Sequence, residues 1–439
     1  MTHRTRIALS LLLGLFCFTG LGCEKPAIQT AQPATASIAT VPVKPVKALR
    51  KPWAHANSDL TPDPRITFGE LDNGLRYILH PNPKPADRVY IRLVVETGSM
   101  NESDDQQGLA HFLEHMAFNG SKNFAPSEMV SHFQRLGMAF GRDINAYTSF
   151  DVTAYNIDLP NSTPKMLNEG MTLMRDYAGD LLVLQTEIDR ERGVILSEMR
   201  DAMTPEYLDS KAIFNFVAPN TPLSTRWPLG KSETVSKMNR PLFKKYINDF
   251  YTADRMTLVV TGDIEPKAIA AEIDKHFGDL KNNTVPNAEL TYRPGPAVKA
   301  AANVDAKLSM TEVSLMCLKP FDKTPDSVAA QIEGFRRRCA LAMVNQRLSQ
   351  TALDDKKILD LEASWYPFIG YCDLADLTAE GKAEDIDHLV KTLDTSIRQA
   401  ITYGFTDQDI TAAKARMLQN LEKLVEADPT RKSGPMADQ

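Results

Sequence analysis

His111-Phe112-Leu113-Glu114-His115 is the stretch on which the reading of this chain turns. It is set within Gly108-Leu109-Ala110-His111-Phe112-Leu113-Glu114-His115-Met116-Ala117-Phe118. Apolar residues recur around it at helical spacing, which predicts one helix over 107–119. Positions i, i+3 and i+4 of a helix share a face, so His111, Glu114 and His115 stand side by side. Two imidazoles one turn apart can share a Zn2+ ion at about 2.0–2.1 Å each. Glu114 then lies beside the ion, placed to handle a proton. The same residues also fit a buried helix with two hydrogen-bonded histidines and a solvated glutamate.

One helical turn offers only two ligands, so a third must come from elsewhere in the chain. Thr186 is expected to cap a helix running through Glu191, Glu198 and Arg200 to Met203 or beyond. Glu191 and Glu198 are two turns apart and share a face of it. A carboxylate is the usual third ligand of a hydrolytic His2Glu zinc site, with one position left for water, and Glu198 is the candidate. Glu191 would accept a hydrogen bond from a ligand imidazole and fix its tautomer. The spacing alone equally allows a solvated face on which both carboxylates pair with Arg190, Arg192 and Arg200.

Outward from this centre, two strands at 66–71 and 75–80 flank the hairpin signal Asp72-Asn73-Gly74. A third strand follows at 89–95, then a polar loop at 98–107. Beyond the 107–119 helix come a helix at 126–136 closed by Gly137, strands at 144–149 and 152–159, and a helix at 163–184. A strand at 251–264 and a helix ending at Phe277 complete an α+β domain of packed strand and helix layers over 65–282. Residues 283–303 read as a linker.

The remainder, 304–439, repeats that order without its chemistry. A strand at 307–318 is followed by a long helix at 326–350, a strand-like run at 361–377, a helix at 383–403 closed by Gly404, and a last helix capped by Thr406 that runs to Val425. This mirrors 89–205 and reads as an internal duplication. The long helix carries Gly334-Phe335-Arg336-Arg337-Arg338-Cys339 where ligands would stand. No strand comparable to 256–262 follows in 426–439, so the second copy is incomplete, with an unpaired sheet edge expected.

The composition, 43% apolar and 24% charged over 439 residues, is ordinary for a globular protein. A net charge of −6 argues against a nucleic-acid surface. Residues 1–22 have a positive start at Arg4 and Arg6 and an apolar run at 7–21 that is short for a spanning helix. The run ends at Leu21-Gly22-Cys23, similar to a bacterial lipoprotein signal in which Cys23 is lipidated, and Glu24 fits outer-membrane sorting. The expectation is a protein on the periplasmic side of the cell envelope, touching the membrane only through that anchor; ordinary secretion is the alternative. Residues 23–64, rich in Ala, Pro, Thr and Lys, read as a tether. Cys317, Cys339 and Cys372 are an odd set that reads as small apolar residues, not ligands.

The chain resembles the pitrilysin/insulinase family of zinc peptidases, inverzincins that include the mitochondrial processing peptidases. The resemblance rests on His111-Phe112-Leu113-Glu114-His115-Met116, Asn119-Gly120-Ser121, Asn145-Ala146-Tyr147-Thr148-Ser149, the run 191–198 and the run 250–263, in that order. It implies one Zn2+ held by His111, His115 and Glu198, with Glu114 as base and Glu191 in support. It implies a peptide or unfolded-protein substrate added as a strand beside Asn145, Ala146 and Tyr147. The 82 residues between His115 and Glu198 are a few more than the family spacing, which a loop insertion explains. The family plan of four such domains, in one long chain or two half-length ones, implies that this chain is the front part and that a second half completes it. The alternative within the family is a non-catalytic, peptide-binding or structural subunit.

Overall fold

The computed structural model describes residues 52–283, 285–292, 299–303, 307–308 and 310–438. The expected leader, Cys23 and the tether to residue 51 lie outside these. The first part contains β1 (Thr67–Glu70), β2 (Arg76–Pro81), β3 (Val89–Val95), α1 (Leu109–Ala117), α2 (Glu128–Arg135), β4 (Ile144–Thr148), β5 (Thr153–Leu159), α3 (Pro164–Gly179), α4 (Gln185–Ala202), α5 (Pro205–Val217), the one-turn α6 (Pro222–Thr225) and α7 (Ser232–Val235), α8 (Arg240–Phe250), β6 (Met256–Gly262) and α9 (Pro266–Phe277). The second contains β7 (Thr311–Pro320), α10 (Val328–Asp354), β8 (Ile358–Phe368), β9 (Cys372–Gly381), α11 (Ile386–Tyr403), α12 (Asp407–Ala427) and α13 (Ser433–Ala437).

The first sheet runs β1-β2-β6-β3-β5-β4. Only β2 and β6 pair in parallel. β6 comes late in sequence and inserts between β2 and β3, so strands at 76–81 and 89–95 that follow each other in the chain are not neighbours. α3 and α9 cover one face, and Ile91, Leu93, Ile157, Leu258 and Val260 are fully buried beneath them. The odd residues of β3 face this layer. Its even residues, Tyr90 and Arg92, face the other side and are buried too.

What buries them comes from the far end of the chain. Ser433 of α13 donates through its N–H to Lys84 C=O (2.8 Å), and its own C=O accepts from Thr261 Oγ1 (2.8 Å). Gly434 lies against the Tyr90 ring, and Asp438 pairs with Arg92 at 2.7 Å. The first part returns the contact: α5 leaves α4 and packs Phe214 on Phe368 of the second sheet, ring centroids 4.7 Å apart. Phe214, Val217 and Ala218 join Cys372 and Leu374 in a shared apolar cluster. The segment after α4 thus crosses to the second sheet, and the segment after α12 crosses to the first.

The second sheet, β7-β9-β8, is antiparallel throughout. Its path repeats β3-β5-β4, and among the described residues it has no counterpart of β1, β2 or β6. The duplicated order is thus visible as topology.

Several boundaries differ from expectation. The helix at 163–184 stops at Gly179, because Leu181 bridges to Ser121 and Val183 takes a positive φ of 47°. α4 starts at Gln185 with Leu184 at the cap position, so Thr186 is inside the helix and caps nothing. The strand-like run at 361–377 is a hairpin, turned at Ile369 and Gly370, both with positive φ. Residues 52–64 are not free tether: Trp53 packs edge-on against Phe68, and Arg76 lies over its ring at 4.7 Å. Ala288, Leu290 and Tyr292, within the expected linker, pack against the cluster between the two halves.

Candidate metal centre

α1 is only nine residues long, yet eight of them are buried. Its start is fixed by close approach. Gly108, at φ 96°, faces Gly230, where a Cβ would stand 2.3 Å from the Gly108 Cα; neither position has room for a side chain. Glu102, itself buried, accepts from the N–H groups of Gly108 (2.9 Å) and Ala110 (2.8 Å). It thereby satisfies two amides that the first helical turn leaves without partners. Burial pushes its carboxyl up to about 8, against the pull of those amides. Phe112 meets Phe243 of α8 edge to face at 5.1 Å, closing the roof over the helix.

On the opposite side of α1 lies α4. His111 Nε2 is 3.5 Å from Glu198 Oε1 and His115 Nε2 is 3.4 Å from Glu198 Oε2. The rings are 4.8 Å apart between centroids and nearly perpendicular, at 76°. One ligand atom from each of His111, His115 and Glu198 falls within 4.8 Å of the others. Two imidazole nitrogens and one carboxylate are a fitting donor set for Zn2+, with room for a fourth ligand. The His111 contact holds the Glu198 carboxyl below its ordinary range, burial opposing. An anionic carboxylate between two ring nitrogens is the form a cation needs.

Glu191, two turns back, meets the other side of His115: Oε1 lies 3.0 Å from Nδ1. That contact lowers the Glu191 carboxyl, with burial working against it. Burial disfavours the charged His115 ring, but Glu191, Glu114 and Glu198 together outweigh it and raise its pKa. Glu114 is 8% exposed, and burial raises its carboxyl. Thr148 of β4 donates to Glu114 Oε2 at 2.7 Å and pulls the other way.

The structure thus brings His111, Glu114, His115, Glu191 and Glu198 together. Asn145, Ala146 and Tyr147 lie on β4, the outermost strand of the first sheet. Ala146 and Thr148 share the face toward α1, while Asn145 and Tyr147 point to the other. Sequence reading gave no role to Glu102, Asn119 or Thr148. Thr148 had one usable signal: period-2 alternation puts it on the same face as Ala146, toward whatever helix covers the strand.

A mixed sheet bearing this centre on its first flanking helix, with a second copy of the half-sheet behind it, is the plan of an M16 peptidase pair. The chain belongs to that family: the model for insulinase (peptidase family M16) matches residues 77–220, and that for the M16 inactive domain matches 237–417. Among its relatives is the probable zinc protease PqqL of Escherichia coli K12, 36% identical over 224 residues, which are 51% of this chain and 24% of that protein. The PqqL of Haemophilus influenzae is 27% identical over 374 residues, 84% of this chain and 40% of that one. The crystal structure of the first half of the E. coli periplasmic protease PqqL superposes with a TM-score of 0.76 at 26% identity, covering 86% of this chain and 81% of that one. The chain spans less than half the length of the curated PqqL relatives it matches.

Proposed function

We propose that this protein is a zinc-dependent endopeptidase whose ligands are His111, His115 and Glu198. The observation that carries the reading is the meeting of three donor atoms from two helices, with a buried carboxylate, Glu114, beside them. Zinc bound there would supply a Lewis acid for the scissile carbonyl and make a neighbouring water more acidic. Glu114 takes the proton of the attacking water and returns it to the departing amine. Thr148 holds that carboxylate through one oxygen and leaves the other to the substrate side. Glu191 holds His115 by Nδ1 and so keeps Nε2 for the metal.

The substrate is a peptide in extended form, paired along β4. In the register with β5, residues 146 and 148 of β4 turn their backbone groups outward, while the outward C=O of Ile144 is taken by Gly141 N–H; Ala146 N–H is met by the neighbouring Asn145 Oδ1. Such an edge accepts a strand. Turnover is expected to need a second half supplied by further chain or by a partner, as the four-domain plan of the family implies. The site of action is the periplasmic side of the envelope, the compartment named for the E. coli PqqL structure. No helix among the described residues is long and apolar enough to cross a membrane.

Metal analysis alongside a quenched-peptide digest tests the reading. The expected result is about one zinc per chain, with cleavage that appears or rises steeply when the downstream half is added. Zinc without cleavage under either condition would favour a non-catalytic, peptide-binding subunit. Full cleavage by the chain alone would remove the need for a second half.

A further inference from the structure

The support of His115 extends one residue beyond Glu191. Asn119 follows α1 by two positions and is half-buried. A side-chain amide has two N–H donors and one acceptor oxygen. Here Asn119 Nδ2 donates to Glu191 Oε2 (3.0 Å) and to the C=O of His115 (3.2 Å), while Oδ1 accepts from Arg190 Nη2 (3.0 Å). Turning the amide over would set its oxygen against the Glu191 carboxylate and its N–H groups against the Arg190 guanidinium. Both pairings are repulsive, so the network on the two sides fixes the orientation.

The result is a closed clamp. Glu191 uses Oε1 for the His115 ring and Oε2 for Asn119, and cannot swing away from one without releasing the other. His115 is gripped at both ends, by its ring through Glu191 and by its backbone carbonyl through Asn119. His111 has nothing equivalent. Its Nδ1 is buried with no hydrogen-bond partner among the described residues. The two imidazoles are therefore held unequally.

We infer that Asn119 is a positioning residue for the metal centre. It sets the orientation of Glu191 and through it the direction of His115 Nε2, so that zinc affinity depends on this clamp. The inference rests on the zinc reading given above. Groups that orient a metal ligand are commonly worth 10- to 100-fold in affinity, and Asn119, one step further out, is expected to be worth about tenfold.

Zinc itself is the probe. The full chain, stripped of metal, is titrated with zinc against a chromophoric competitor. Asn119→Leu keeps the volume and removes all three hydrogen bonds; it should bind zinc about tenfold more weakly. Asn119→Ala should move the same way if the leucine variant does not fold. Glu191→Ala should lose more, and adding Asn119→Leu to it should cost nothing further. A residue that merely stabilised the fold would weaken binding equally in both backgrounds, and such additivity overturns the inference. So does unchanged zinc binding in Asn119→Leu while His111→Ala abolishes uptake, an outcome that leaves the zinc reading intact. Uptake indifferent to His111→Ala would overturn both.

Discussion

β3, β5 and β4 with α1, α3 and α4 are laid out like β7, β9 and β8 with α10, α11 and α12. In each half the first helix rests on the edge strand and on the last helix, and the second helix rests on the middle strand. The joint between first helix and edge strand is nevertheless built differently. In the first half a carboxylate on α1, Glu114, meets a hydroxyl on β4, Thr148. In the second, Asn345 of α10 donates to the C=O of Ala363 on β8 (2.6 Å) and accepts from its N–H (2.7 Å). An amide there does what another strand would do, and the edge of β8 is closed at that point. The edge of β4 is taken at Ile144, by Gly141 N–H, and among the described residues has no such side-chain closure from α1 beyond it. The burial differs as well: α1 lies almost wholly inside, while of the 27 residues of α10 only Leu348 is buried. The shared layout makes neither half a metal centre. The difference is a roof over α1, which gives buried polar groups a low-dielectric setting, together with the two histidines of α1, which α10 lacks.

The largest effect should come from removing the carboxylate that only the first joint contains. Glu114→Gln keeps the shape and the Thr148 contact but cannot take a proton. Zinc content should stay near that of the parent while peptide cleavage falls about 10²- to 10⁴-fold, the usual worth of a general base. His111→Ala and Glu198→Ala should lose the metal. Cleavage by Glu114→Gln at the parental rate would show that the two joints do not differ in chemistry and would end the base assignment.

α1 was legible because its evidence is local: 3.6-residue periodicity places His111, Glu114 and His115 on one face whatever surrounds them. Glu198 was less so. Its spacing from Glu191 fixed a shared face, but which layer that face meets is a tertiary fact, and the family resemblance supplied it. Thr148 and Asn119 lay within quoted motifs without roles, since a motif gives neither contact nor distance. The reciprocal covering by α5 and α13 was not legible at all. The last residues read as polar remainder, because Ser433 and Gly434 are buried through backbone and hydroxyl bonds that leave no apolar pattern. Thr186 was misread as a cap because the turn at Val183 starts the helix one residue before it.

A middle-sized effect separates the closed edge from that of β4. Asn345→Ala leaves the N–H and C=O of Ala363, a residue only 6% exposed, without partners. Two such groups cost about 2–4 kcal/mol together, so the second half should unfold at clearly lower denaturant. Asn145→Ala exposes one N–H on an open strand and should cost only a few tenths of a kcal/mol. Equal losses in the two variants, followed by chemical denaturation, would mean that the edges are managed alike.

The smallest effect concerns two buried carboxyls, one in each half. Burial pushes Glu102 and Asp376 each up to about 8. Glu102 spends both oxygens on the first turn of α1, whereas Asp376 Oδ1 has no partner among the described residues and Glu312 stands nearby to repel the charged form. A folded-state pKa above the unfolded one means that the native protein binds the proton more tightly, so stability falls as pH rises from the ordinary carboxyl range toward 8. Asp376→Asn removes that titration and leaves a neutral group of the same shape. It should stabilise the protein, and by more at pH 8 than at pH 5. Glu102→Gln removes the same titration, yet its NH2 replaces an acceptor that Gly108 or Ala110 needs. It should cost about 1–3 kcal/mol at pH 5, where the parent carboxyl still holds both amides, and the deficit should shrink toward pH 8. Denaturation midpoints at the two pH values decide it: a gain for Asp376→Asn that is the same at pH 5 and pH 8 would show that its carboxyl does not change charge there. The contrast would then reduce to packing.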